Sequence, residues 1–444
     1  MPAPLDRVET PLTLPADADV VVIGAGIVGV SAAYWLARAG QRVVLVEKGL
    51  IGAEQSSRNW GWCRQQNRDA RELPLATVSL ALWEDIARDT GLDTGFRRCG
   101  LLYLSDDPAE IDTWARWGTF ARGEGVDTRM LSRAETATRG SATGRSWLGG
   151  VWSPGDGTAD PSRAAPAIAK GVMQHGGHVM QNCAARGLEL SGGAVSGVVT
   201  EKGTIRTRQV VMAGGAWASS FLHRVGVDMP QSSVRSSILS VGPLPQGAGA
   251  LPDALHTTAA SVTRRGDGGY TLAISGNGRV DPTPGMLRQG LRFLPMFARR
   301  WRALAPGGAQ GWRAGFDSRS KWRLDAPTPM ERVRILDPRP DAATVAKTLA
   351  AARKLLPGLA QARVQAEWAG YIDSTPDGVP VIDTESGVPG LTVAAGFSGH
   401  GFGIGPGAGH LVADLLLGRT PIAEVAHYRL SRFARASWGK VSDF

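Results

Sequence analysis

Val20 to Ile23 is an unbroken run of β-branched apolar residues, and the polar and apolar positions that follow it change rhythm. A run with no polar face predicts a strand buried on both sides, as in a parallel sheet. Beyond it Val30, Ala33, Tyr34 and Ala37 recur at helical spacing, and Gly40 stops the helix. Arg42 to Val46 predicts a second strand, with Glu47 at its tip. Residues 210–217, VVMAGGAW, read as a strand running into a glycine turn. Near the end of the chain, Leu391 to Ala395 predicts another strand. Pro406 onward predicts a helix with Ala408, Leu411, Val412 and Leu415 on its apolar face. Between these last two lies GFSGHGFGIGPG, residues 396–407, with six glycines in twelve positions, a density that no packed helix or strand needs. Short alternating segments around 237–241 and 270–275 predict strands, and 282–304 and 342–356 predict helices.

Composition narrows the classes. The chain has 444 residues, 43% of them apolar, enough for two or three domains. Forty-nine basic against forty acidic side chains give +9, but the basic residues are scattered, so no nucleic-acid footprint is expected. No run approaches 18 apolar residues, so no membrane span is expected. Cys63, Cys99 and Cys183 are far apart and lack CxxC spacing, which argues against a disulfide framework and a structural zinc. The first residues lack an apolar core behind a basic start, so a cytoplasmic protein is expected, with about 15 loosely held N-terminal residues.

Chemistry enters with Gly24-x-Gly26-x-x-Gly29. Gly24 permits a tight turn, Gly26 lets the backbone approach a pyrophosphate, and Gly29 lets the helix pack on the strand. The phosphates are favoured at the helix N-terminus by free N–H groups and the dipole, beside Ile27 and Val28. Glu47 is placed to accept from ribose hydroxyls, with Lys48 next to it. This stretch alone leaves FAD and NAD open.

Four further segments, SSRN at 56–59, VVMAGGAW at 210–217, STPDGVPVID at 374–383 and the glycine tract, occur in this order and spacing. Together with the first motif they resemble the FAD-dependent D-amino-acid oxidase superfamily, which includes glycine oxidase, sarcosine oxidase and D-amino-acid dehydrogenases. The resemblance covers about residues 18–225 and 365–420. It implies an α/β fold: a discontinuous Rossmann-like FAD-binding domain over 1–85, 147–225 and 360–444. An α+β substrate domain with a mixed, largely antiparallel sheet is expected over 86–146 and 226–359. It also implies FAD contacts from Ser56, Ser57, Arg58 and Asn59, from Gly214, Gly215 and Trp217, and from Ala184 and Ala185. The tract Gly399, His400, Gly401, Phe402, Gly403 and Ile404 is expected to form a bed of bare backbone for the flavin.

The implied reaction is oxidation of the C–N bond of a D-amino acid, a glycine-like or an N-alkyl amino acid. Hydride passes to flavin N5, and the imine hydrolyses. An alternative is a flavin dehydrogenase of a 2-hydroxy acid or glycerol phosphate, or an FAD-binding subunit of a hetero-oligomer. Oxygen or a quinone would be the electron acceptor, and a homo- or hetero-oligomer is open. A carboxylate clamp is needed, and a bidentate arginine suits it best. Arg64 is the leading candidate by resemblance, a surface or phosphate-binding role being the other reading. Trp60 and Trp62 either wall a substrate cavity or pack as core, and Trp368 and Tyr371 stand under the same two readings. His400 is either catalytic or structural. Arg279, Arg319, Lys321 and Arg323 are further anion candidates. Sarcosine oxidases carry lysine where this chain has Ile404, and a flavin-linking cysteine where it has Gly370, so dissociable FAD is expected and no metal.

Overall fold

A computed structural model describes residues 3–244, 251–318 and 321–434. Six strands form one sheet in the order Val381–Asp383, Leu391–Ala395, Gln209–Met212, Val20–Ile23, Val43–Val46, His178–Met180. All pairings in it are parallel except that of Val381–Asp383, at the edge. The β-branched runs occupy its centre because they are buried on both faces. A second sheet of ten strands is mixed and largely antiparallel. Its longest pairing joins Ser232–Val241 to Val364–Ser374. Two of its strands, Gly149–Ser153 and Val364–Ser374, lie in segments expected on the nucleotide-binding side.

Helices Ile27–Arg38, Ala164–Gln174 and Gly401–Leu417 cover one face of the parallel sheet, and Leu73–Thr90 packs on the last of them. The last begins five residues before the expected Pro406, which stands inside it. Proline removes one helical donor. Neighbours secure the helix around it: Ser79 Oγ accepts from Gly407 N at 2.8 Å, and the Trp83 and Trp35 indoles donate to Gly403 O and Pro406 O at 3.0 and 3.1 Å. The tract is therefore mostly a helix made slim. A Cβ on Gly409 would stand 2.5 Å from Ala32 N, and one on Gly403 would stand 2.8 Å from Trp62 O.

The N-terminal segment is held, against expectation. Val8 is buried, its carbonyl accepts from Gln181 Nε2 at 2.7 Å, and Asp6 N donates to Ser162 O at 2.9 Å.

Candidate active site

A cleft of about 900 Å³, counted to its open mouth, runs along the carboxyl ends of the parallel strands. That edge is where open α/β sheets take nucleotide ligands. Gly24 and Gly26 line its floor, Glu47 and Lys48 one wall, Gly214, Gly215 and Trp217 the turn opposite, and Ala185 the far end. Ser56, Arg58, Gly370 and Tyr371 carry the lining to the other end. The sequence thus places these residues in one cleft.

Local forces fix each of them. Gly24 sits at φ +100°, and its Cβ would meet Ala213 O at 2.6 Å, so the turn requires glycine. Gly29 lies against the carbonyl of Gly24, 1.9 Å from where a Cβ would be, so its role is packing and it does not line the cleft. Ser56 Oγ accepts from Ile27 N at 2.8 Å, tying the loop to the helix N-terminus. Glu47 accepts from Ala25 N and Gly49 N, both at 2.8 Å, so the carboxylate braces the phosphate turn as well as facing the cleft. Burial pushes its carboxyl above the usual range. Lys48 lies over the Trp217 ring at 4.6 Å, with its ammonium donating to the carbonyls of Val333 and Arg334. Arg58 is buried, donating to Ala53 O and Ala369 O and paired with Asp337. Its charge braces the cleft wall.

Other expected contacts are not part of this lining. Ala184 is buried behind the cleft with its N–H bonded to Glu201 at 2.7 Å, while Ala185 reaches the surface of the cleft because alternate strand residues face opposite ways. Ser57 bonds to Glu54 O, and Asn59 spends its amide on Ser56 O and its carbonyl on Gly61 N. Ile27 and Val28 are buried in the first helix, and neither lines the cleft. Gly399, His400, Gly401, Phe402, Gly403 and Ile404 are not among the residues lining this cleft; Gly399 and His400 lead into the slim helix, and from Gly401 it is packed on neighbouring chain. Trp368 is buried in a cluster with Ile238, Ala273 and Ala366, against which Trp60 packs.

The cleft fits a dinucleotide by an observation of its own. Gln55 Oε1 is buried in the lining with no hydrogen-bond partner among the described residues, which is costly unless a ligand donates to it. Gly370 is the companion feature: a Cβ there would stand 2.4 Å from that same oxygen, so a side chain is excluded.

A second constellation was not legible as such. Trp62, Tyr103 and His256 form an aromatic cluster, with ring centroids 6.1, 5.9 and 5.1 Å apart, and Trp60 meets Trp62 edge-on at 5.2 Å. Trp62 is oriented by an indole bond to Thr263 Oγ1 at 2.7 Å. Arg64 and Arg68 flank this cluster. Burial and the Arg64 charge push His256 down to about 4, so the imidazole is neutral. Burial, and then the like charge of Arg64, push Arg68 down to about 10. Arg68 is buried, with Nε donating to Arg64 O at 3.3 Å and Nη1 without a partner among the described residues. The Tyr103 hydroxyl is buried, meets no geometric hydrogen-bond partner among the described residues, and lies under the charge of Arg64. Arg64 donates to Gln66 O. His400 is joined to Glu72, and burial holds its imidazole below the ordinary value against the pull of that carboxylate.

Of the other anion candidates, Arg279 pairs with Asp341 and Arg323 with Asp325, while Arg319 lies outside the described residues. Cys63 is a free, buried thiol pushed well up by burial. No group of His, Cys, Asp and Glu among the described residues is arranged to hold a metal ion, and no described helix is long and apolar enough to cross a membrane.

The chain is 28% identical to a glycine oxidase of Geobacillus kaustophilus, over 93% of this chain and 97% of that protein. It is 27% identical to the sarcosine oxidase subunit beta of Rhizobium meliloti, over 94% of this chain and 88% of that protein. Among solved structures, the L-amino acid deaminase of Proteus myxofaciens in complex with anthranilate superposes with a TM-score of 0.92 at 27% identity, covering 97% of each chain. The model of the FAD dependent oxidoreductase family, DAO, matches residues 19–415. The chain is therefore an FAD-dependent amino-acid or amine oxidoreductase and belongs to the DAO family.

Proposed function

We propose that the substrate is a 2-amino carboxylate whose carboxylate sits between Arg68 Nη1 and the Tyr103 hydroxyl, with Arg64 adding positive potential. The observation that carries this reading is the buried cationic Arg68 Nη1, without a hydrogen-bond partner among the described residues, beside the buried Tyr103 hydroxyl. Desolvated donors without acceptors are costly, and a carboxylate removes that cost with charge-assisted bonds. Trp62 and Trp60 supply π faces for an amine or an aromatic side chain. Neutral His256 offers a lone pair toward which a substrate ammonium can turn.

FAD, when bound, supplies the two-electron acceptor at N5 for the hydrogen leaving the carbon that bears nitrogen. The remaining work belongs to the chain: Gly24, Gly26 and Ser56 shape the phosphate turn, Gln55 offers an acceptor, and Arg68 and Tyr103 orient the substrate. FAD is held without a covalent bond, because Gly370 provides no nucleophile. Three free cysteines accord with a reducing compartment, the cytoplasm.

The test is an anaerobic titration of the holoenzyme with glycine, sarcosine, paired D- and L-amino acids, their decarboxylated amines and 2-hydroxy acids. Loss of the oxidised flavin band with amino acids but not with the matching decarboxylated amines is expected. Equal bleaching by the decarboxylated amines removes the clamp, and bleaching by hydroxy acids alone removes amine chemistry. FAD that no amine reduces would favour a subunit acting within a hetero-oligomer.

A further inference from the structure

Most of the large apolar side chains that the described surface exposes come from one short stretch of chain: Leu287, Leu291, Leu294, Phe297, Trp301 and Trp312, each more than half exposed. Residues 284–303 run helically almost without a break, as Pro284–Gln289, Gly290–Phe293, Leu294–Arg300 and Trp301–Ala303. Positions 287, 291, 294 and 301 follow the helical repeat, so they share one face with Phe297 at its margin. A helix on a water-soluble surface turns such a stripe inward. Here it faces out, while Gly285 and Gln289 are the buried positions.

The charges beside the stripe have one sign. Residues 284–316 contain six arginines, Arg288, Arg292, Arg299, Arg300, Arg302 and Arg313, and no acidic residue. Arg292 pairs with Asp228 at 3.0 Å, which anchors the segment to the body, and Arg302 lies 5.4 Å from the Trp301 ring. The far end returns to the cofactor cleft: Gly311 packs beside the hydroxyl of Tyr371, a cleft residue.

We infer that residues 284–313 are a docking segment for an anionic lipid surface, with the Leu–Phe–Trp stripe inserted at the headgroup boundary and Arg288, Arg302 and Arg313 on lipid phosphates. Outward apolar and aromatic side chains supply insertion, and arginines on flexible stems reach back to the headgroups. Unbalanced positive charge favours a negative bilayer surface over a neutral one. A single exposed stripe of this kind marks an interaction site on a soluble body. The inference does not depend on which amine is oxidised.

The test is sedimentation of the holoenzyme with vesicles of phosphatidylcholine alone and of phosphatidylcholine mixed with phosphatidylglycerol. Binding at least about tenfold tighter to the anionic vesicles is expected, weakened by salt, with a blue shift of tryptophan emission. The triple variant L291S/F297S/W301S alters only exposed side chains and is expected to lose about tenfold in vesicle binding while keeping its flavin spectrum and melting temperature. A wild-type enzyme that ignores both vesicles overturns the inference. So does a triple variant that binds as the wild type does, or a stripe whose loss dissolves a dimer in solution while the wild type shows no lipid binding.

Discussion

His400 Nδ1 lies 2.9 Å from Glu72 Oε2, which joins the cap of the glycine helix to the first residues of the second helix. Glu72 is buried, so its charge needs this partner. Glu72→Gln is expected to cost about 1–3 kcal/mol of stability, as one partner of a buried bonded pair is weakened. Urea denaturation at pH 7 measures it, and an unchanged midpoint would show the pair to be idle.

The clamp reading separates two variants by sign. Tyr103→Phe removes a buried hydroxyl that meets no geometric hydrogen-bond partner among the described residues, so the empty protein is expected to hold or gain stability. The same change is expected to weaken anthranilate, the ligand of the Proteus myxofaciens structure, used here as an aromatic carboxylate probe. Arg68→Met is expected to raise its Kd roughly ten- to a hundredfold, the worth of about 1.5–3 kcal/mol for a charge-assisted bond. Titration followed by the flavin spectrum reads both. Equal Kd values across wild type and both variants would place the carboxylate elsewhere.

At Gly370 the conflict is steric. A methyl there stands 2.4 Å from Gln55 Oε1 and 3.1 Å from Arg58 Cβ, so Gly370→Ala is expected to lower the flavin content of the purified protein. The ratio of flavin to protein absorbance gives the answer. Acid precipitation of the wild type is expected to leave the yellow colour in the supernatant, since no covalent link is formed; yellow precipitate would contradict this.

Acid should find His256. Its folded pKa of about 4 lies below the unfolded value near 6.5, so the unfolded chain binds the extra proton between these limits. Stability from this residue is therefore full above about pH 6.5 and falls as pH drops toward 4. Asp156 and Asp373, both raised to about 6 by burial, act oppositely over part of the same range. The clean comparison is therefore wild type against His256→Gln. On going from pH 7 to 4.5 the variant is expected to lose less stability, by up to about 3 kcal/mol. Parallel losses would mean that His256 is solvated.

The legible parts of this protein are those whose partners are close in sequence. Gly24, Gly26, the flanking strands and Glu47 lie within thirty residues, so their rhythm and spacing define one local geometry. Ala184 against Ala185 shows the limit: strand parity decides which of two identical residues faces the cleft, and parity is set by a pairing that no spacing reveals. Arg68, Tyr103 and His256 come from a loop and two strands that meet only after the ten-stranded sheet has formed. The sequence singles out their neighbours Trp60, Trp62 and Arg64, but not these three residues or their meeting. The glycine tract carries a second meaning that spacing does not reveal, because glycine makes room for another helix as well as for a ligand. At Gly403, Gly405, Gly407 and Gly409 the nearest neighbours are the chain itself.

That last packing has a consequence for biosynthesis. The indole of Trp35 reaches the carbonyl of Pro406, a residue 371 positions later. A ribosome releases the first helix long before its companion exists, so the nucleotide-binding half waits, with its apolar flank bare, until the segment around residue 406 has been made. A chain cut short before residue 401 should therefore aggregate or be degraded rather than persist as a partial flavoprotein, and the yellow colour should appear only on full-length product.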